Sequence, residues 1–586
     1  MALAGTYRES PGYAPAFLSE QLQGRIYQPV NTNAVRPDVI NESPSFNEYT
    51  SLISRNRMRG FAGLAYGDTD TDMSEYYPEG FQCPDPSGAL RPCELGSSNP
   101  SSGDLTLTLN RDRFAGAVSY SAVQTDGFRV NSDVDQRWAR GYFAFAPTYR
   151  DQVQLSVING KRETGDLPLR DVPAVYSPQR IETDLTNVGV GYHRILSPSS
   201  DLAVSATYND AQQDLDSQFF GTASTAKLTG PQLEAQYVKR GTRVTWTAGA
   251  GHFDGEQEVI GTRFGFPPFA ASGDDTFSNG YLYAKVRGLG PVEVSAGLVY
   301  EDVLAPVGLL PPRDAQIGAA DVPFEDNKVS PKVGVSVHAT SSTVIRAAAY
   351  ERLNPAIGRL QTLEPTQVAG FNQFFDDPGG TSSRNYGLGL DQRVSHNFYF
   401  GLSALNRDLE IPEPFCDAPD PLFGCIGQTA TTLVERSSDD WLGNVYINGT
   451  VAQRVALSLD YAYEERDFDF TQVSIDGSFG HYLETQRTRP QVRVFLPMGL
   501  FAHVRSSYYD QQVEQFDPVN VADFTIDSEF WITDVSLGYR MPRRWGTVQL
   551  DVLNVGDREF TFYRSSLEES VVPARTVLLS VDFNSP

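Results

Sequence analysis

The sequence predicts an all-β protein: a transmembrane antiparallel β-barrel of about 22 strands, with long extracellular loops and short periplasmic turns. Three observations predict this fold. Apolar and polar residues alternate with a period of two in segment after segment, and the connections between these segments are alternately short and long. In addition, no apolar run approaches the length of about 18 residues that a membrane helix requires, whereas a barrel strand needs only about ten residues.

The last strand shows the alternation clearly. Its apolar face carries Val577, Leu579, Val581 and Phe583, and its more polar face carries Thr576, Leu578, Ser580 and Asp582. We expect the first face to contact lipid and the second to line the lumen. We also expect this strand to pair with the first strand, because a closed sheet leaves no backbone N–H or C=O group unpaired in hydrocarbon.

The same pattern locates the other strands, and helical periodicity is hard to find anywhere in the chain. The expected strands cover residues 57–67, 104–110, 113–123, 138–146, 151–158, 184–194, 201–209, 227–238, 243–251, 278–287, 291–300, 331–339, 342–351, 384–392, 395–405, 440–449, 454–464, 487–496, 499–509, 529–540, 545–554 and 575–583. An even number of strands places both ends of the barrel in the periplasm.

The connections indicate which end of the barrel faces which side. The short ones carry turn residues, as at Arg111-Asp112 and Gly288-Leu289-Gly290. The long ones are rich in Asp, Gly, Pro and Ser, as in DVPFEDN and DDPGGTSS. In bacterial outer-membrane barrels the tight turns face the periplasm and the extended loops face outward. The sequence therefore predicts a protein of the Gram-negative outer membrane, in contact with membrane lipid and lipopolysaccharide.

Two regions are expected along the chain. The barrel covers residues 57–586, and residues 1–56 form an extended segment that is rich in Pro and Asn, as in YQPVNTNAVRPDVINESPSFNEYT. A segment of this composition cannot build a packed core. We expect it to lie in the periplasm or in the lumen.

The net charge of −26 excludes nucleic acid as a partner, because no basic surface is available to neutralise phosphates. A solvated acidic exterior and a cation-attracting pore both remain open. Charges inside strands are expected to face the lumen, since an Arg facing lipid near the midplane costs about 2–4 kcal/mol. Arg346 breaks the pattern because it shares a face with Val344 and Tyr350. The charged residues within the predicted strands are Arg346, Asp391, Asp460, Arg493, Arg505, Asp534 and Asp551.

Aromatic residues cluster near the strand ends, where interfacial girdles of outer-membrane barrels lie. The expected girdle residues are Tyr300, Tyr350, Trp441, Tyr463, Tyr508, Tyr509, Trp531, Tyr539 and Trp545.

The four cysteines form two close pairs, Cys83 with Cys93 and Cys416 with Cys425. Neither pair has the gap of about two to four residues that zinc ligands show, and no histidine is near either pair. We expect two disulfides that close outer loops in an oxidising compartment.

The run DTDTDMSEYYPE is the best metal candidate. Asp68, Asp70, Asp72 and Glu79 occupy positions one, three, five and twelve of a calcium-binding loop. Methionine stands where the sharp turn of such a loop needs glycine, and no helical pattern flanks the run. A bound Ca²⁺ and a solvated acidic loop are both compatible with this sequence.

The sequence indicates no catalytic site. The histidines are scattered, without a pair at metal-binding spacing and without a Gly-x-Ser-x-Gly motif. We therefore expect the protein not to be an enzyme. The histidines are His193, His252, His338, His396, His481 and His503.

Several stretches carry a resemblance to a known family. GTVQLDVLNVGDREFTFYRSS and VPARTVLLSVDF resemble the last two strands of TonB-dependent outer-membrane receptors, and VSPKVGVSVHATSSTVIRAAAYERLNPA resembles their middle strands. A second likeness, carried by SFNEYTSLISRNR, QTDGFRVNSD and LEPTQVAGFNQFFDD, is to outer-membrane barrels that follow tetratricopeptide repeats. The first resemblance implies a globular plug ahead of the barrel, whereas residues 1–56 are coil. Energised uptake would then require a plug that is supplied by a separate chain, or by a part of the protein that is missing from this sequence.

Three functions follow from this sequence. The first is a conduit that passes a substrate or polymer across the outer membrane and is occluded by a periplasmic domain or partner protein. The second is the barrel of a TonB-dependent uptake receptor whose plug is separate or missing. The third is a non-transporting anchor that presents its outer loops to a surface partner. A lumen of this width must be filled in the closed state, and we expect residues 1–56, folded-in outer loops or a partner to fill it.

Overall fold

The structure, a computed structural model, describes the barrel wall and parts of its loops. The described residues are 57–69, 82–84, 90–92, 100–125, 133–165, 179–217, 222–263, 266–307, 322–355, 362–374, 377, 380–415, 432–451, 454–473, 479–517, 522–558, 560, 562–563, 569–570 and 575–584. Among them, no helix is long and apolar enough to cross a membrane.

The wall is one antiparallel sheet of 22 strands. In chain order, β1 to β22 are Arg57–Thr69, Ser101–Arg111, Phe114–Thr125, Val134–Phe145, Asp151–Gly165, Gln179–Ser197, Ser200–Ser217, Thr222–Arg240, Val244–Arg263, Phe266–Leu289, Val292–Val307, Val322–Thr340, Thr343–Leu353, Ser382–Ser395, Phe398–Phe415, Thr432–Val451, Val455–Val473, Phe479–Phe495, Leu500–Asp517, Ala522–Arg540, Gly546–Leu553 and Thr576–Asn584.

The sheet closes on itself. The first strand pairs with both the second and the last, so that Leu64 lies opposite Gly103 on one side and opposite Val581 on the other. Every strand therefore has two neighbours, and the predicted barrel, including the predicted pairing of its ends, is confirmed. Each predicted strand corresponds to one strand of the sheet.

The two ends of the barrel differ as the connections predicted. The periplasmic turns are tight and use left-handed backbone conformations, as at Asp112 (φ 53°), Gly288 (φ 84°), Met498 (φ 62°) and Arg543 (φ 56°). The connections at the extracellular end are longer, and the one after β13 reaches from Leu353 to Ser382.

The two faces of the wall differ in polarity. Leu64 and Leu388 on the outside are each 65% exposed and Leu579 is 51% exposed, whereas the neighbouring Leu578 points inward and is 2% exposed. Exposed apolar side chains on a closed barrel form the band that meets lipid. The expected lipid-facing surface is thus confirmed.

The predicted girdle is partly wrong. Trp441, Trp531 and Trp545 are exposed on the outside, as predicted. Tyr350 and Tyr509 are instead 2% and 1% exposed and point into the lumen, because each packs against a segment that folds in from an extracellular loop.

The strands extend further at their extracellular ends than the alternation indicated. For example, β10 begins at Phe266, whereas the pattern predicted a start near 278. Beyond the lipid, the outer face meets water and carries residues such as Glu256 and Glu258, so the contrast between apolar and polar faces disappears. The sequence pattern therefore detects the part of each strand that is in contact with lipid.

The two faces of β22 provide a matched test of the membrane interpretation. Replacing Leu579 with Arg places a charge in the lipid, and we expect a loss of about 2–4 kcal/mol in the free energy of unfolding. Replacing the adjacent Ser580 with Arg places the same charge on the lumen side and should cost less than about 1 kcal/mol. Urea unfolding in phospholipid vesicles measures both values, and equal losses would contradict the assignment of the two faces.

Candidate functional site

The candidate site is the lumen, where the extracellular connection between β13 and β14 folds inward. The two ends of this connection meet at one point of the wall. The Gly380 N–H donates to the Asn354 carbonyl at 2.9 Å, and the Asn354 N–H donates to the Thr381 carbonyl at 2.8 Å. The intervening chain can therefore fold into the barrel as a unit anchored at its base.

Residues 362–374 of this connection contain a short β-hairpin, which we call the lumen hairpin. Gln367–Val368 pairs with Phe371–Asn372. The two turn residues, Ala369 and Gly370, have φ values of 49° and 86°. Positive φ at both central positions defines the type I′ turn, which matches the twist of a tight hairpin and is the reason a glycine is needed there.

The lumen hairpin follows β13 towards the periplasm. Near the outer end, the Tyr350 hydroxyl donates to the Asn372 carbonyl at 2.7 Å. At the tip, Arg346 Nη1 donates to the Gly370 carbonyl at 3.2 Å. Since Arg346 lies close to Thr343, where β13 leaves the periplasmic turn, the tip reaches deep into the barrel.

The wall beneath the hairpin carries glycine where the hairpin approaches most closely. A Cβ atom at Gly334 would lie 2.6 Å from the Ala369 Cβ, and one at Gly387 would lie 2.6 Å from the Phe371 ring. Any larger residue at either position would displace the hairpin. Apolar packing completes the contact, in a buried cluster of Ala348, Tyr350, Val368, Phe371, Phe374, Leu405 and Leu442.

This packing explains why Arg346 broke the pattern of the sequence. Arg346, Ala348 and Tyr350 all face the lumen, while Ile345 on the other face is 46% exposed. The lumen face of β13 is apolar around Arg346 because it binds the hairpin. The charge itself is paired, with Arg346 Nε at 2.9 Å from a carboxylate oxygen of Asp391.

A buried carboxylate at the start of the hairpin forms the first polar anchor. Glu364 is 2% exposed and accepts hydrogen bonds from the Tyr283 hydroxyl at 2.8 Å and from Asn279 Nδ2 at 3.2 Å. Lys332 Nζ and Arg352 Nη1 each lie 4.0 Å from this carboxylate. The hairpin thus places one negative charge between two buried cations of the wall.

Neighbouring groups extend this anchor. Lys332 Nζ donates to Gln373 Oε1 at 2.6 Å, which ties the end of the hairpin to β12. On β11, the Glu301 carboxylate accepts from Ser330 Oγ at 2.5 Å and from the Leu353 N–H at 3.0 Å. Buried polar groups that are satisfied in this way fix one arrangement of the chain.

A third contact lies on the other side of the hairpin. Asp377 forms a two-pronged ion pair with Arg407 of β15, with both oxygens 2.6 Å from Nη2. The Arg407 guanidinium also stacks on Phe374, 3.6 Å from the ring centre. On the opposite flank, the Thr362 hydroxyl and the Glu364 N–H donate to Glu234 of β8, at 3.1 and 3.2 Å. The segment therefore bridges the wall from β8 to β15.

The charged residues that the sequence predicted to face the lumen do lie on the inner face of the wall. Asp460 pairs with Arg487 at 2.7 Å, Arg505 pairs with Asp534 at 2.7 Å, and the side chain of Asp551 is buried on the same inner face. Arg493 lies on the lumen face of β18, two positions from Gln491. Sequence parity thus located these residues correctly.

A second extracellular connection, the one after β21, also enters the lumen. Phe560 stacks on Phe530 at 4.0 Å between ring centres, and Phe562 lies edge-on to Tyr509 at 5.7 Å. The Asn554 N–H donates to Asp534 at 2.9 Å. These contacts, like the lumen hairpin, were not predicted from the sequence.

The predicted metal and disulfide sites fall mostly outside the described residues. Asp68 lies in β1 and is exposed, whereas Asp70, Asp72 and Glu79 lie outside the described part of the chain. Of the cysteines, Cys83 lies in a short strand opposite Arg91, and Cys93, Cys416 and Cys425 lie outside it. Within the described ranges, no group of three or more His, Cys, Asp or Glu residues is arranged to hold a metal ion. The calcium and disulfide sites stay predictions.

The buried anchor gives a direct test of hairpin docking. Replacing Glu364 with Gln leaves the two buried cations Lys332 and Arg352 with Glu301 as their remaining counter-charge, 3.9 Å from Arg352 Nη1, so we expect the docked hairpin to lose about 3 kcal/mol. Amide hydrogen exchange of peptides covering residues 362–374 should become faster. The control is Gln367→Ala, because Gln367 is exposed and its side chain donates within the hairpin, to Asn372 Oδ1 at 2.7 Å, and not to the ion cluster. Exchange at the wild-type rate in Glu364→Gln would show that the ion cluster does not hold the hairpin.

Comparison with known proteins identifies the fold. No protein-family model matches the chain, and no curated protein matches its sequence. Solved structures do match. The siderophore receptor PirA from Pseudomonas aeruginosa matches with a TM-score of 0.57 at 12% identity, over 91% of this chain and 81% of that one.

Two further structures match similarly. The FrpB iron transporter from Neisseria meningitidis has a TM-score of 0.63 at 12% identity, over 93% of this chain and 83% of its own. The copper transporter OprC has a TM-score of 0.61 at 13% identity, over 90% of this chain and 80% of its own. The resemblance to the barrels of TonB-dependent outer-membrane receptors is thus confirmed for the fold, and the chain is an outer-membrane β-barrel of this architecture.

Proposed function

We propose that this protein is an outer-membrane transport conduit. A solute or polymer crosses the membrane through the lumen, and passage is occluded by the lumen hairpin together with a periplasmic domain or partner. The observation that carries the proposal is a closed wall with a polar inner face on which a loop is docked by buried ion pairs.

The width of the barrel supports passage of a large substrate. With strands about 4.8 Å apart and a tilt of about 40°, a closed sheet of 22 strands measures roughly 40 Å between opposite backbones. A two-stranded hairpin is only about 10 Å wide. The lumen hairpin therefore covers one part of the cross-section, and closure needs a further element, for which a periplasmic partner protein is the candidate.

The chemistry of the hairpin contacts supports reversible occlusion. Its anchors are carboxylates, amides and cations, including Glu364, Gln373 and Asp377. These groups are well solvated by water when the hairpin leaves the wall, and they offset part of the cost of exposing the apolar cluster around Phe371. A hairpin with these contacts is suited to act as a movable constriction.

Removing the hairpin tests its role in occlusion. Because Asn354 and Gly380 are already hydrogen-bonded, a short Gly-Ser linker can replace the chain between Pro355 and Gly380 without moving the barrel strands. We expect this variant to show larger and more frequent conductance steps in planar lipid bilayers than the full chain. The matched control replaces a similar length of the extracellular loop between β15 and β16 with the same linker.

The outcomes separate the alternatives. Larger conductance only in the hairpin variant supports a conduit that the hairpin narrows. If neither variant passes current, the lumen is filled by other means, and the protein is better described as an anchor that presents its extracellular loops to a surface partner.

The second candidate function is energised uptake of a metal chelate. It is favoured by the fold, because the structures that match are those of a siderophore receptor, an iron transporter and a copper transporter. The two functions differ in their energy requirement. Uptake of radiolabelled ferric siderophores or copper that requires this chain and stops when a protonophore is added supports the receptor, whereas entry that continues supports the passive conduit.

A further inference from the structure

The periplasmic end of the barrel is basic, although the protein as a whole has a net charge of −26. Exposed Arg or Lys side chains lie at the turns that join successive strand pairs, for example Arg243, Arg393, Arg454 and Arg543. Among the described residues, none of these four has a carboxylate within ion-pair distance. These four cations lie at four different turns around the end of the barrel. They therefore form a ring, which we call the basic ring, and not a single patch.

Two of these turns are next to exposed tryptophans. Lys239 lies directly opposite Trp246 in the pairing of β8 with β9, and both point outward. Arg243 is in the turn between them, and Trp246 is 45% exposed. In the same way, Arg543 lies in the turn Pro542–Arg544 just before Trp545, which is 48% exposed. Tryptophan beside Lys or Arg is the pattern of a membrane–water interface.

The outer surface at the extracellular end differs, because its cations have acidic partners. Near Trp441, which is 47% exposed, Asp439 and Asp408 lie opposite each other on the outer face, and Asp408 pairs with Arg384 at 3.6 Å. The outer face of β9 continues with Glu256 and Glu258 above the lipid, where Lys227 of β8 lies opposite Glu258, so acidic residues outnumber the cations there. The two membrane interfaces of the barrel are therefore electrostatically different.

We propose that the basic ring at the periplasmic end binds the anionic headgroups of phospholipids in the inner leaflet of the outer membrane. Phosphate groups at this level lie within reach of Lys239, Arg243 and Arg543, and an exposed basic side chain at an anionic surface contributes a favourable interaction that salt screens. A lipid annulus contacts every turn around the barrel, which fits cations distributed over several turns. An acidic periplasmic protein would need them concentrated on one side.

Tryptophan quenching by brominated lipids tests this proposal at one interface at a time. In the full chain, replacing the other four tryptophans with Phe leaves Trp246 as the probe of the periplasmic ring. In vesicles that mix phosphatidylcholine with phosphatidylglycerol, we expect brominated phosphatidylglycerol to bind beside Trp246 about fivefold more strongly than brominated phosphatidylcholine, at low salt. The preference should fall towards one as salt is added.

Two comparisons make the result specific. A variant that keeps only Trp441 reports on the acidic interface and should show no preference for phosphatidylglycerol. Adding Lys239→Gln and Arg243→Gln to the Trp246 variant should remove the preference, and heat-modifiable migration in detergent gels verifies that each variant is folded. Equal binding of the two lipids beside Trp246, or the same preference beside Trp246 and Trp441, would overturn the proposal.

Discussion

The structure depends on one constraint, which is that no backbone N–H or C=O group can remain unpaired in hydrocarbon. The pairing of β1 with β22 satisfies it, because it removes the two edges that an open sheet would have. Closure then dictates the rest. Each strand must present alternate residues to lipid and to the lumen, so Leu579 meets lipid while Leu578 and Ser580 face inward. The acidic character of the chain is compatible with this, since charges are confined to the lumen and to the parts outside the lipid.

Because of the same constraint, apolar residues on the inner face indicate where another segment docks on the wall. A water-filled wall has no reason to carry them, and in two places a segment of an extracellular connection covers them. Tyr350 of β13 is buried in one cluster with Phe371 of the lumen hairpin. Tyr509 of β19 is buried where Phe562, from the connection after β21, enters the lumen. A second group, formed by Phe253, Phe277, Val303 and Leu353, lines the outer part of β9 to β13. The inner face therefore consists of hydrated polar regions and apolar regions on which other segments dock.

The strands could be predicted because their signal is local. All of the predicted strands are present, and only their extracellular extensions, such as the first part of β10, were missed because both faces are polar there. The lumen hairpin could not be predicted in this way, since LEPTQVAGFNQFFDD has no sustained alternation and Glu364 binds residues as distant in the sequence as Asn279 and Tyr283. One local signal did exist. Arg346 on the same face as Tyr350 indicated a lumen wall that is partly covered.

The contacts that anchor the lumen hairpin are polar, and this affects how stably the hairpin docks on the wall. Burying Glu364, Lys332 and Arg352 removes their hydration, and the attraction among them recovers this cost only while the arrangement is complete. These ionic contacts therefore add less to docking than apolar contacts of the same size would, and the buried cluster around Phe371 supplies the apolar part. At the same time, partial release is unfavourable because it leaves a charge buried and unpaired. In the conduit proposed above, a loop held in this way is either docked or free, and a substrate or partner that binds one of these two states more tightly shifts the loop towards that state.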